Sequence, residues 1–161
     1  MTYSSKRNAI TILSGVILIF TYTLYALGKT APATDDLSAW AKALLIFIGI
    51  GVGITIILQI VFHIWLSIGI ALKEKDLDNK QIERIIKSTM VEDERDKLIS
   101  LKSNHIGYIC AGAGFVIGLI ALAFSCSAVV VLHIIAGSFT FGSFVEGCVG
   151  IYFNEKGISN A

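Results

Sequence analysis

Three ionisable side chains of this 161-residue chain fall inside long stretches without formal charge: His63, His133 and Glu146. An imidazole or carboxyl at membrane depth costs several kcal/mol unless it is paired or hydrated, so each is a candidate for function. Thr55, Gln59 and His63 recur every fourth residue, which places three hydrogen-bonding groups in one stripe of a helix. Glu146 shares a helical face with Phe139, Gly142, Ser143 and Gly150, and small residues on that face direct it toward a close-packed neighbour. Counted inward from the ends of their spans, His63 and Glu146 both fall in the inner third, about one helical turn apart in depth. Paired, the carboxylate would favour the imidazolium and a proton could be shared, which is the minimum chemistry of a proton-linked transporter. The other reading is that each bonds separately to hydroxyls and carbonyls and stabilises the helices, since a relay ordinarily has more stations than one pair. His133 lies about 220° around the helix from Glu146, so it belongs elsewhere, as an interfacial or helix-bridging group. His105, at the inner entrance of its span, suits solvent.

Other chemistries have no constellation to carry them. There is no GxSxG, HExxH, phosphate-binding Gly loop, paired Asp motif within a span or metal-spaced His pair, so neither an enzyme nor a cofactor is expected. Cys110, Cys126 and Cys148 lack CxxC spacing and act as small apolar groups. With 13 Lys and Arg against 12 Asp and Glu, no basic excess exists to neutralise a nucleic acid.

The elements that must position these residues follow from hydropathy. Hydrophobic residues make up 55% of the chain and charged ones 16%, against about 45–50% and about 25% in soluble domains. Four runs account for the shift, near 8–28, 43–72, 105–124 and 128–153, each long enough for the roughly 20 residues that cross a bilayer. The expected fold is an all-α membrane protein. Residues 1–161 form one integral domain, a bundle of four transmembrane helices in which the lipid bilayer is the first partner. The first run could also be read as a signal peptide ending at Ala31-Pro32-Ala33, although its apolar part exceeds the about 7–15 residues usual for one. Ser125-Cys126-Ser127 forces the last two spans into an antiparallel hairpin.

Orientation follows from the basic residues, which cytoplasmic loops retain. Lys6 and Arg7 precede span one, Lys29 and Lys42 lie in the first loop, eight fall between Lys73 and Lys102, and Lys156 follows span four. The distribution predicts a multi-pass protein of the cell (inner or plasma) membrane with both termini on the cytoplasmic side. Tyr22, Tyr25 and Trp40 then mark the outer interface, Tyr108 and Tyr152 the inner one. Packing is expected at small residues, because apolar side chains gain nothing by leaving lipid. Gly49 and Gly53 form GxxxG in span two, Gly114 and Gly118 in span three, and Gly142 leads a small-residue series in span four. These serve either contacts within one bundle or contacts with a second copy or a membrane partner.

Residues 73–104 hold eight basic and eight acidic residues, and Asp78-x-x-Gln81 followed by Ile82, Ile85, Ile86 and Met90 predicts a short amphipathic helix. No Gly or Pro then intervenes before Gly107, so the third helix is expected to start near Met90 and project several turns beyond the membrane. The resulting charged hairpin is either a solvated knob or a docking surface comprising Asp93, Glu94, Arg95, Asp96 and Lys102. Together with Ile99, those residues resemble the Asp-Glu-Arg-Asp…Ile…Lys segment of a poorly characterised family of small prokaryotic multi-pass membrane proteins. The resemblance covers about a dozen residues and implies a class of protein, not an activity. The expected role is an accessory, regulatory or immunity-type subunit acting through protein contacts. Its rival is a small oligomeric proton-linked transporter or channel using His63, Gln59 and Glu146.

Overall fold

The computed structural model describes residues 3–73 and 94–157. Four helices follow one another: α1 (Tyr3–Ala26), α2 (Leu37–Lys73), α3 (Glu94–Ala123) and α4 (Ala128–Lys156). All four are long and apolar enough to cross a membrane, and the protein is a multi-pass membrane four-helix bundle. The expected amphipathic helix at 78–90 and Asp93 lie outside the described residues. On the described start of α3, Leu98 and Leu101 are exposed, whereas Ile99 is turned into the bundle and only 2% exposed.

Two helices extend beyond their apolar runs because polar residues cap or continue them. Asp36 Oδ1 accepts the Ala39 N–H at 2.9 Å, which starts α2 six residues before its first long apolar stretch. Lys42 therefore lies on α2 and not in the first loop. At 37 residues α2 is about 55 Å long, longer than the hydrocarbon it crosses. α3 runs from Glu94 without a break, carrying its charged first turns beyond the apolar part.

The α3–α4 turn is closed by a Schellman arrangement. Cys126 N–H donates to the Ala121 carbonyl and Ser125 N–H to that of Leu122, each at 3.0 Å, with Ser125 in the left-handed region at φ 61°. Ser127 then caps α4, its hydroxyl accepting the Val130 N–H at 3.4 Å.

α3 and α4 form the tightest pair, α1 packs on α4, and α2 lies outermost against α1. The small residues explain the first two contacts. Gly107, Ala111, Gly114 and Gly118 are buried along one face of α3, in line with Ile99 and Ser103. A Cβ on Gly107 would stand 3.1 Å from both Glu146 Cβ and the Gly142 carbonyl oxygen, one on Gly118 would stand 3.2 Å from Ile135, and one on Gly114 would overlap Ser138. Gly142 approaches the Gly107 carbonyl as closely from the other side. α1 uses the next face of α4, where Gly147 receives Ile12 and Gly150 receives Asn8.

Gly49 and Gly53 differ. A Cβ on either would meet nothing within 4 Å. α2 turns Trp40, Leu44, Phe47, Gly51, Thr55 and Phe62 inward, at helical spacing. Gly51 meets Leu18 of α1, and Thr55 Oγ1 lies 3.2 Å from Ser14 Oγ. The GxxxG pair sits on the opposite, outward face with exposed Leu45, Ile57 and Ile60.

Candidate functional site

Most hydroxyls at membrane depth are satisfied by their own helix. Thr21, Thr23, Thr55, Ser67 and Thr140 each donate to the carbonyl four residues earlier, at 2.8–2.9 Å. Such back-bonding lets a hydroxyl stand in lipid without an unpaired proton. Among the described residues, two buried side chains depart from this pattern: Ser4 Oγ and Ser103 Oγ have no hydrogen-bond partner. Ser4 lies too near the start of α1 to have a carbonyl one turn below within the helix. Ser103 has that of Ile99 and does not use it.

Both serines are among the residues around one cavity of about 120 Å³, bounded by α1, α3 and α4 at the end where α1 and α3 begin. α1 contributes Arg7, Asn8 and Thr11 beside Ser4, α3 contributes Asp96 and Ser100 beside Ser103, and α4 contributes Ser143, Glu146 and Asn154. The ends of the helices are tied here as well. Ser5 Oγ donates to Glu155 Oε1 at 3.2 Å, and Arg95 Nη2 to the Asn154 carbonyl at 3.4 Å.

Glu146 is positioned by two features of α3. Gly107 leaves room for its carbon stem, and the Asn104 amide, oriented to donate, places Nδ2 2.7 Å from Oε1 and 3.3 Å from Oε2. The carboxyl is thus held from one side and open to the cavity on the other. A second, larger and mostly apolar hollow of about 510 Å³ lies between α1, α2 and α4 and includes Gln59, Thr55 and Ser14. Thr11 and Ser143 line both hollows. Gln59 lines the larger hollow and Glu146 the smaller one. His63, half-buried beside Phe62, lines neither hollow, so the residues gathered around Glu146 come from α1 and α3 rather than from the His63 turn of α2. Of the Glu146 face expected from sequence, Gly142 and Gly150 are buried against neighbours, whereas Phe139 is exposed.

The charged segment divides between two faces. Asp96 lines the cavity, Ile99 is fully buried and Arg95 reaches back to α4, while Glu94 and Lys102 face outward. Of the expected docking motif, Asp96 lines the cavity, while Glu94, Arg95 and Lys102 are exposed.

At the other end, His133 joins three helices. Its Nδ1 lies 2.7 Å from the Val129 carbonyl, which can only accept, so Nδ1 carries a proton; in that tautomer Nε2 accepts from Tyr22 Oη at 2.7 Å. Trp40 stands edge-on to the imidazole at 4.8 Å, its indole N–H donating to the Ala33 carbonyl at 3.0 Å. Tyr22 and Trp40 are therefore packing residues of an internal cluster; Trp40 is 7% exposed because His133 and the chain before α2 cover it. Tyr108 and Tyr152 are exposed.

Among the described residues no group of three His, Cys, Asp or Glu side chains gathers as metal donors, and the three cysteines are unbridged. No protein family, curated protein or solved structure matches the chain.

Proposed function

We propose that the protein is a small accessory or regulatory subunit of the cell or inner membrane, with both termini cytoplasmic, and that it works by contact with other membrane proteins through α2. One observation carries this reading. α2 packs on α1 by one face, and its GxxxG pair, Gly49 and Gly53, lies on the other, where among the described residues no side chain fills the notch. Elsewhere in the bundle the same kind of notch is occupied by a neighbouring helix, as Gly114 is by Ser138. Close backbone approach at small residues is how helices associate in lipid, so an open notch is a seat for another helix, from a second copy or from a partner. The resemblance of residues 93–102 to small prokaryotic multi-pass proteins belongs to the same proposal and adds no activity to it.

Replacing both glycines by leucine tests the reading. The double variant should keep its helicity and thermal unfolding while losing the protein that co-purifies with the wild type in mild detergent. Retention of that protein at wild-type yield would count against it.

A second reading, a small proton-linked transporter or channel, is favoured by the polar cavity at Glu146. Because His63 lies outside that cavity, this reading runs through Glu146 first. The Glu146→Gln protein in liposomes should then lose pH-dependent flux; flux equal to that of the wild type would remove the reading.

A further inference from the structure

We propose that the hollow between α1, α2 and α4 binds a neutral, lipid-soluble ring compound carrying carbonyl or hydroxyl groups, the chemistry of membrane quinones, with Gln59 and Ser143 as its hydrogen-bonding residues. The inference concerns the inward side of α2 and is independent of contact through its outward notch.

The space comes first. At about 510 Å³ the hollow falls within the about 300–1,000 Å³ of ligand pockets, and a gap between the helices of a bundle is a usual place for one. Its lining contains no Lys, Arg, His, Asp or Glu, so a charged ligand would be taken out of water without a counter-charge. A neutral one suits it. The walls include exposed Ile48, Val52, Ile56 and Phe139, which puts the hollow in communication with lipid rather than with water.

The second observation is a pair of unpaired polar groups. Ser14, Thr55 and Thr140 line the hollow with their protons already donated to carbonyls of their own helices. Gln59 and Ser143 differ, since neither makes a hydrogen bond to any described residue. Gln59 is half-buried and Ser143 exposed, and unlike the sealed hydroxyls of Ser4 and Ser103 both remain reachable. At about 100° per residue, Gln59 falls at the middle of the α2 face made by Gly51, Thr55, Ile48, Val52 and Ile56, all of which line the hollow. Ser143 belongs to the α4 wall. An amide or hydroxyl without a partner at membrane depth is costly, and an oxygen-bearing ligand would satisfy both.

The third observation is the shape of the α4 wall. Phe139, Ser143, Thr140 and Phe144 follow one another in that order across about 140° of the helix, so two aromatic rings flank two hydroxyls. Rings at the edges and hydrogen-bonding groups between them match a planar ring with oxygen substituents. The Gln59 amide can donate to a carbonyl or accept from a hydroxyl, and so serves a quinone and its quinol alike. A phospholipid acyl chain would fill the space but meet neither polar group.

The full-length protein in mild detergent is unfolded by heat with decylubiquinone, a short-chain menaquinone, 1-decanol or decane at equal mole fraction in the micelle. At least one quinone should raise the midpoint by several degrees and the two ring-free compounds should not; the benzoquinone and naphthoquinone arms tell the two quinone sources apart. Gln59→Leu should remove at least half of that shift and Ser143→Ala a smaller part. Thr21→Ala, outside the hollow, should keep it. Gly15 lines the hollow and a Cβ there meets nothing within 4 Å, so Gly15→Phe places a ring in the space and should abolish the shift. Should Gly15→Phe fail to fold, Gln59→Leu decides alone. Equal midpoints with every addition, a shift with decanol or decane as large as with the quinones, or a quinone shift undiminished in Gln59→Leu would overturn the proposal.

Discussion

Tyr22 and His133, 111 positions apart in sequence, share a 2.7 Å hydrogen bond that closes the end of the bundle opposite the cavity. The Val129 carbonyl fixes the tautomer, so the tyrosine hydroxyl is the donor. Tyr22→Phe removes that donor and leaves Nε2 unsatisfied. The expected loss is about 0.6–1.7 kcal/mol, the range of interhelical bonds in bilayers. His133→Ala should cost more, because Trp40 loses the ring it packs against. Trp40 fluorescence during thermal unfolding reports both, and a double-mutant cycle should give coupling of the same size as the Tyr22→Phe loss. Additive effects would show that the two side chains do not interact.

Gly107→Ala and Gly112→Ala make a matched pair on α3. The first places a methyl group 3.1 Å from Glu146 Cβ and the Gly142 carbonyl oxygen; the second meets nothing within 4 Å. Overpacking at 107 should destabilise by about 1–3 kcal/mol. At 112 the better helix propensity of alanine should stabilise by about 0.5–1 kcal/mol. Unfolding midpoints that move in the same direction for both variants would contradict the assigned α3–α4 face.

Ser125 holds the left-handed position of the α3–α4 turn with a Cβ that this region disfavours. Ser125→Gly relieves a cost of about 1–2 kcal/mol and partly returns it as unfolded-chain entropy. The net expectation is a gain of roughly 1 kcal/mol, read as a higher unfolding midpoint. A lower midpoint would mean that the hydroxyl contributes more than the backbone conformation costs.

The number of spans and the tight last hairpin were legible because lipid imposes a length and an apolar composition that soluble folds do not. Which face of α2 turns inward was not legible, since a helix apolar all round carries no periodic signal; Trp40, Leu44 and Phe62 became a buried stripe only through the packing of α2 on its neighbours. Spacing alone gives Gly49-Gly53 and Gly114-Gly118 the same weight, yet α4 fills the second and no described side chain fills the first. Glu146 meets Asn104 and Gly107 of α3, which its own spacing on α4 does not indicate. The signal for its actual surroundings was in the first turns of α1, where Ser4, Arg7, Asn8 and Thr11 repeat at helical spacing as polar residues leading into a span. The start of α2 was missed for a simpler reason: Asp36 caps a turn whose residues are too mixed in polarity to register as apolar.

Contact through the outward face of α2 is tested most directly in intact cells, with a photo-crosslinking amino acid placed at Leu45 and Ile57 beside the Gly49-Gly53 notch. Ile109 and Val116, on the face of α3 turned away from α4, serve as lipid-facing references; all four side chains are exposed. The account predicts a discrete protein adduct from the two α2 positions, lost when Gly49 and Gly53 are replaced by leucine, and none from the two α3 positions. The same labelling pattern from both helices would contradict it.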